Sequence, residues 1–273
     1  MTQEPSVSAR QLEIAAELGV QPVIDVAGEV ERRVAFLTSL LASSGAGALV
    51  LGVSGGVDSA AAAALCRLAV DRSPGTRFIA VRLPYGQQRD DEDARAVLTV
   101  TQPDLTLTVD VRPASDAALQ AVRDAGLEFR DDRQQDFVLG NIKARQRMVA
   151  QYAITGTVVG LVIGTDHAAE AVTGFYTKYG DGGVDAVPLS GLTKRQVRAL
   201  AAHLGIPGHI VTKTPTADLE TLDPGRSDED ALGLTYNQID DFLEARPIEP
   251  HLHDTLIAIH ARTAHKRHMP PGP

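Results

Sequence analysis

Residues 48–70 read ALVLGVSGGVDSAAAAALCRLAV, and no other stretch of the chain narrows the fold as much. An apolar run, Ala48 to Val53, passes through a two-glycine turn straight into a segment of high helix propensity, Asp58 to Val70. A strand that is apolar without alternation must be covered on both faces, and a helix beginning directly at its end supplies one cover. That is the first half of a βαβ unit, so a parallel sheet is expected.

The rest of the chain keeps the same rhythm. Two helices lead, the second from Asp25 as N-cap through Val30, Val34, Leu37 and Leu41 to Gly45. Strand-like 78–83 precedes an acid-rich helix at 89–99, and alternating 105–111 precedes a helix at 115–124. A longer helix covers 133–154, followed by a buried strand at 158–163. Thr193 caps a helix that stops at Gly205, and two further helices fall at 236–244 and 251–264. Alternation of this kind predicts an α/β fold, a doubly wound and mainly parallel sheet flanked by helices. No repeat or composition break marks a linker, so residues 1–273 read as a single domain. Segments 84–93 and 212–230, rich in Gly, Pro and charge, fit either substrate-covering loops or plain surface connections.

Composition removes several function classes. A formal net charge of −9 disfavours a nonspecific nucleic-acid binder. One cysteine, Cys66, excludes an internal disulfide framework and a multi-cysteine zinc site, and its alanine-rich helical setting suits a core position better than a nucleophile. No apolar run reaches the roughly 20 residues that span a bilayer. With Glu4, Arg10, Glu13 and Glu17 breaking up the N-terminal region, a soluble cytoplasmic protein without a membrane partner is the expectation. The histidines at 251, 253, 260, 265 and 268 follow no zinc spacing and read mostly as solvated helix positions.

The turn itself carries chemistry. Gly55 and Gly56 let backbone N–H groups approach an anion at a helix N-terminus, and Ser54 and Ser59 add hydroxyls. Asp58 would repel a phosphate unless a divalent cation lies between them. The lysine of a G-x-x-x-x-G-K-[ST] loop is missing. Ser-Gly-Gly-Val-Asp-Ser instead resembles the PP-loop of ATP pyrophosphatases, which split ATP between its α- and β-phosphates. Five more blocks, GNIKARQRM (140–148), GTDHAAEAVTGFYTKYGDGGVD (164–185), LTKRQ (192–196), KTPTADLE (213–220) and AHKR (264–267), look like bacterial ammonia-dependent NAD⁺ synthetase, in order and over nearly the whole chain.

That resemblance implies a site. Gly52, Val53, Ser54, Gly55, Gly56, Val57, Asp58 and Ser59, with Arg82, Gln88, Thr165, Lys194 and Thr216, would bind ATP. Asp58 and Glu170 would hold Mg²⁺, and Lys194 would neutralise departing pyrophosphate. Arg145, Lys178, Asp185, His265 and Lys266 match positions that bind deamido-NAD⁺. Phe137 and Phe175 fit either ring stacking or core packing. Asp181, in YGDGG, is the candidate for gathering ammonium and accepting its proton, with an ordinary Asp-Gly turn as the rival. The implied reaction is ATP-dependent amidation of deamido-NAD⁺ by ammonia through an adenylate, in a homodimer, with no glutaminase domain on this chain. A GMP-synthetase-type pyrophosphatase and a noncatalytic adenine-nucleotide sensor are the alternatives.

Overall fold

The computed structural model describes residues 7–86, 91–216, 219–223 and 225–272. Two helices, α1 (Ala9–Glu17) and α2 (Val26–Ser44), lead into β1 (Ala48–Gly52), α3 (Val57–Asp71), β2 (Arg77–Arg82), α4 (Asp91–Thr101), β3 (Leu105–Thr108) and α5 (Arg112–Asp124). Then come the long α6 (Asp132–Val158), β4 (Gly160–Ile163) and the short α7 (Ala168–Thr173). The chain continues through α8 (Lys194–His203), α9 (Gly208–Val211), α10 (Asp228–Leu232), α11 (Tyr236–Leu243), α12 (Pro250–Arg262) and α13 (Ala264–Arg267).

The sheet is parallel throughout, in the order β3-β2-β1-β4. Central β1 is buried along Ala48–Leu51, as its unbroken apolar run requires. Helices α2, α3 and α8 pack together on one side of the sheet, with α3 against β1 and β2, while α6 lies against β1 and β4. Ala60, Ala61, Ala62 and Ala63 are fully buried in α3, and such small side chains let its axis approach the strands closely. Cys66 is buried among them and burial pushes its thiol pKa up, which makes it a core residue. A second cluster joins α1, α7, α11 and α12 around Ile239, Phe242 and Leu256.

From β1 the chain steps outward to β2 and β3, then crosses over to place β4 on the other flank of β1. The strand order therefore reverses between β1 and β4, and a crevice opens at their carboxyl ends.

Some boundaries differ from the sequence reading for local reasons. Helix α6 absorbs Val158 and ends in left-handed Val159 (φ 50°), so β4 starts at Gly160 and Val158 is not a sheet residue. Strand β3 stops at Thr108, and the Asp110 carboxylate then accepts from the N–H groups of Gly86 (3.0 Å) and Arg112 (2.9 Å), turning the chain into α5. His260 is buried, 3.3 Å from Glu17, and is not a solvated position.

Candidate active site

Loop 53–56 joins β1 to α3 at the switch point. Gly55 has φ +88°, and a Cβ there would lie 2.7 Å from the Ala94 backbone nitrogen. A side chain meets both an unfavourable backbone region and a neighbouring helix, so Gly55→Ala should cost about 1–3 kcal/mol in thermal unfolding. Ser59 braces the turn: its hydroxyl accepts from Ser54 N–H (3.3 Å) and donates to the Gly56 carbonyl (3.0 Å). Gly56 is the N-cap of α3, and no side chain caps this helix. The positive end of α3 therefore faces the crevice with its amides available to an anion.

The crevice is a cavity of about 490 Å³. Its floor is the carboxyl end of β1 and β4, and one wall is the Gly140–Gln151 face of α6. A further wall comes from residues 213–216 and 226–228 with Leu219, Glu220 and Asp223. Asp136 on α6 fastens that wall. Its carboxylate accepts from Thr221 N–H (2.8 Å), Leu222 N–H (2.8 Å) and the Thr221 hydroxyl, and Lys143 donates to the Leu219 carbonyl (2.8 Å). Asp136→Ala should release this segment, speeding amide exchange at Thr221 and Leu222 by about 10–100-fold, the worth of 1–3 kcal/mol of lost hydrogen bonding. Exchange in β1 should stay unchanged.

At the base of the cavity four acidic side chains meet few cations. Lys194, the first residue of α8, is 1% exposed. Two α11–α8 contacts hold its backbone end, because Asp240 accepts from the N–H groups of Lys194 (2.9 Å) and Arg195 (2.7 Å). The ammonium donates to both Asp58 oxygens (2.9 and 2.7 Å) and lies 4.8 Å from the centre of the Tyr236 ring. Burial is the largest influence on Asp58 and opposes its ionisation, but the charge and hydrogen bond of Lys194 with the other neighbouring charges together hold this carboxyl below its usual range.

At the other three acids burial prevails. Burial, then the Asp181 and Asp58 charges, push Asp166 up to about 8. Burial and the same neighbouring carboxylates raise Glu170 well above its ordinary value. Asp181 opens onto the cavity and keeps water contact there, yet protein crowds it, and this desolvation raises its pKa despite the Thr177 N–H it accepts at 2.8 Å. His167 is fully enclosed, and burial pushes its pKa down to about 3, so the ring is neutral. One ligand atom each from Asp58, His167 and Glu170 fall within 4.8 Å of one another. The buried Glu170 Oε2 has no hydrogen-bond partner among the described residues. An excess of hard oxygen donors with one unsatisfied is what a divalent cation matches.

The residues singled out from the sequence do not all reach the cavity. Gly52, Val53, Ser54, Gly56, Val57, Asp58, Ser59, Thr165, Glu170, Asp181, Lys194, Thr216 and Lys266 all line the cavity. Gly55 backs onto α4, Arg82 is ion-paired with Asp91, and neither lines it. Gln88 lies outside the described residues. Arg145, Lys178 and His265 sit together beside the cavity: Arg145 donates to the Lys178 carbonyl (3.4 Å), and Lys178 to the His265 carbonyl (2.6 Å). Asp185 is held behind β4, accepting from Tyr152 (3.0 Å) and from Val162 N–H (2.7 Å). Of the two phenylalanines, Phe175 and the exposed Phe137 both line the cavity.

Asp166, His167 and Tyr236 were missed. A signal for His167 was present: it precedes Glu170 by three residues at the head of a short helix, the spacing that places two side chains together.

Comparison with known proteins identifies the family. The NAD synthase family profile matches residues 29–270. An NH₃-dependent NAD⁺ synthetase of Streptomyces coelicolor is 57% identical, with 99% of each chain covered. Another from Burkholderia pseudomallei is 55% identical over 97% of this chain and 95% of that protein. Among solved structures, an NAD⁺ synthetase from Burkholderia pseudomallei has a TM-score of 0.84 at 52% identity, covering 98% of this chain and 99% of the other. An NMN synthetase from Francisella tularensis has a TM-score of 0.81 at 32% identity, covering 92% and 99%. With a family profile spanning most of the chain and relatives above half identity over nearly all of it, the chain belongs to the NAD synthase family.

Proposed function

We propose that the cavity amidates deamido-NAD⁺ with ammonia, converting ATP to AMP and pyrophosphate and yielding NAD⁺. The observation that carries this is the meeting, at the β1/β4 switch point, of an uncapped helix N-terminus, the Asp58–Lys194 pair and Glu170. In the first step a nicotinate carboxylate oxygen attacks the α-phosphorus of ATP. The bond from that phosphorus to the bridging oxygen breaks, and pyrophosphate leaves. Amides at the start of α3 and the Lys194 ammonium receive the negative charge that gathers on it. Asp58 and Glu170 would hold Mg²⁺, which when bound neutralises phosphate charge. Thr165 and Thr216, which line the cavity, would donate to ATP.

In the second step ammonia attacks the activated carbonyl carbon, a proton passes to Asp181, and the carbon–oxygen bond to AMP breaks. Lys266 lines the cavity, and its neighbour His265 contacts Lys178. This continuity supports Arg145, Lys178, His265 and Lys266 as the seat of the distal half of the dinucleotide, to which the resemblance adds Asp185. A second copy of the chain would cover the face of α6 that exposes Phe137, Val149 and Tyr152. Among the described residues no helix is long and apolar enough to cross a membrane, and we assign the enzyme to the cytoplasm as one domain.

Oxygen tracing tests the adenylation. With ¹⁸O in the nicotinate carboxylate, one label should appear in AMP, and unlabelled AMP would refute carboxylate attack at the α-phosphorus. Nicotinic acid mononucleotide is the acceptor to run beside deamido-NAD⁺, given the Francisella structure named NMN synthetase.

The base role of Asp181 has a pH signature. It must be ionised to accept a proton, and its pKa is raised. The acid limb of kcat should therefore lie above the ordinary carboxylate value near 4, with activity rising as pH rises through it. Asp181→Asn should remove that limb and lower kcat/KM for ammonium by about 10²–10⁴-fold. The stability sign is opposite. The folded state holds this proton more tightly than the unfolded chain, so stability falls as pH rises from about 4 through the raised value.

A further inference from the structure

His167 is the N-cap of α7 but makes no side-chain capping bond, so its ring is not spent on the helix end. The side chain is fully enclosed and makes an edge-type contact with the Tyr236 ring (centroids 6.2 Å apart). Its Nε2 faces the cation-holding acids from between them, 3.5 Å from Asp58 Oδ1 and 3.7 Å from Glu170 Oε2. Two ligands of one ion, each about 2.1 Å from it, lie roughly 3.0–4.2 Å apart. Both measured separations fall inside that interval.

We propose that His167 is a third protein ligand of the divalent cation, which makes the site a mixed nitrogen–oxygen one. The inference rests on the reading that Asp58 and Glu170 hold the cation. Its consequence is metal preference. An all-oxygen set suits Mg²⁺, whereas an imidazole donor raises affinity for first-row transition ions along the series from Mn²⁺ to Zn²⁺. The site should thus bind Mn²⁺ more tightly than Mg²⁺. His167→Asn should weaken Mn²⁺ by about tenfold or more and Mg²⁺ much less, the size expected for losing a metal-supporting group.

Lys194 offers the competing explanation. Its ammonium lies 3.5 Å from the same Nε2, so the ring could serve only to place the lysine. The two roles separate spectroscopically. Mn²⁺ alone is titrated into the full chain, and pulsed electron paramagnetic resonance is recorded on unlabelled and ¹⁵N-histidine protein. The proposal expects a nitrogen coupling that changes with the label and disappears in His167→Asn while the carboxylates still retain Mn²⁺. If that variant does not fold, Asp58→Asn provides the location: loss of the coupled ion there places it in this cluster, where His167 is the one imidazole among the described metal-ligating groups. Mn²⁺ that depends on Asp58 but shows no histidine coupling would overturn ligation by His167 and leave the carboxylate site intact. Absence of any Asp58-dependent Mn²⁺ would overturn the carboxylate reading and this inference with it.

Discussion

Asp58→Asn should lower the rate of AMP formation by about 10³-fold or more while the protein stays folded. The substitution keeps shape and one acceptor but removes the charge that a cation and Lys194 both use. Lys194 is buried, so its ammonium cannot find water when its partner is neutralised. It retains the Tyr236 ring face and the asparagine oxygen. Loss of one charge-assisted bond then costs about 1.5–3 kcal/mol, or roughly 3–12 °C in Tm for a chain of this size. A circular dichroism melt beside a quenched-flow AMP assay separates the two effects. Wild-type AMP formation by Asp58→Asn would remove this residue from the chemistry.

Lys194→Met should reduce kcat/KM by about 10²–10³-fold, the cost of one charge-stabilising donor at a leaving group. Methionine preserves the apolar stem that fills the space between α3, α7 and α11, so the loss reports on charge. Removing the cation leaves Asp58, Asp166 and Glu170 facing one another. In the double variant Asp58→Asn/Lys194→Met the second substitution should cost less than it does alone, because the two groups pair directly at 2.7 Å. Additive losses in that cycle would show that the two act independently.

Part of this site was legible because it is local. Residues 54–59 are contiguous, lie at the end of an apolar run, and precede a strong helix former, so turn, helix dipole and Asp58 are read together. Glu170 and Lys194 each lie in the first turn of a helix that follows a strand or loop. What stayed hidden depends on long-range packing. Asp240 reaches Lys194 across 46 residues, and Asp136 reaches Thr221 across 85. Neither residue differs in sequence from a solvated helix carboxylate. The break between α6 and β4 was equally hidden, since Val158, Val159 and Leu161 suit a strand as well as a buried helix end, and only the left-handed Val159 separates them. Arg82 shows a different difficulty: its own sequence context reads as an exposed loop residue and only the resemblance gives it an ATP role, while the fold pairs it with Asp91.

The measurement that bears most directly on the whole account is a single incubation of the purified chain with ATP, Mg²⁺, deamido-NAD⁺ and ammonium, with all products resolved. Equal amounts of NAD⁺, AMP and pyrophosphate are predicted, with their formation by Asp58→Asn slower by about 10³-fold or more. ADP in place of AMP would contradict the reading of loop 53–56 as a pyrophosphate-holding turn. ATP that binds and stays intact with every acceptor, a guanine-nucleotide precursor included, would make the cavity a nucleotide sensor and contradict the account at its centre.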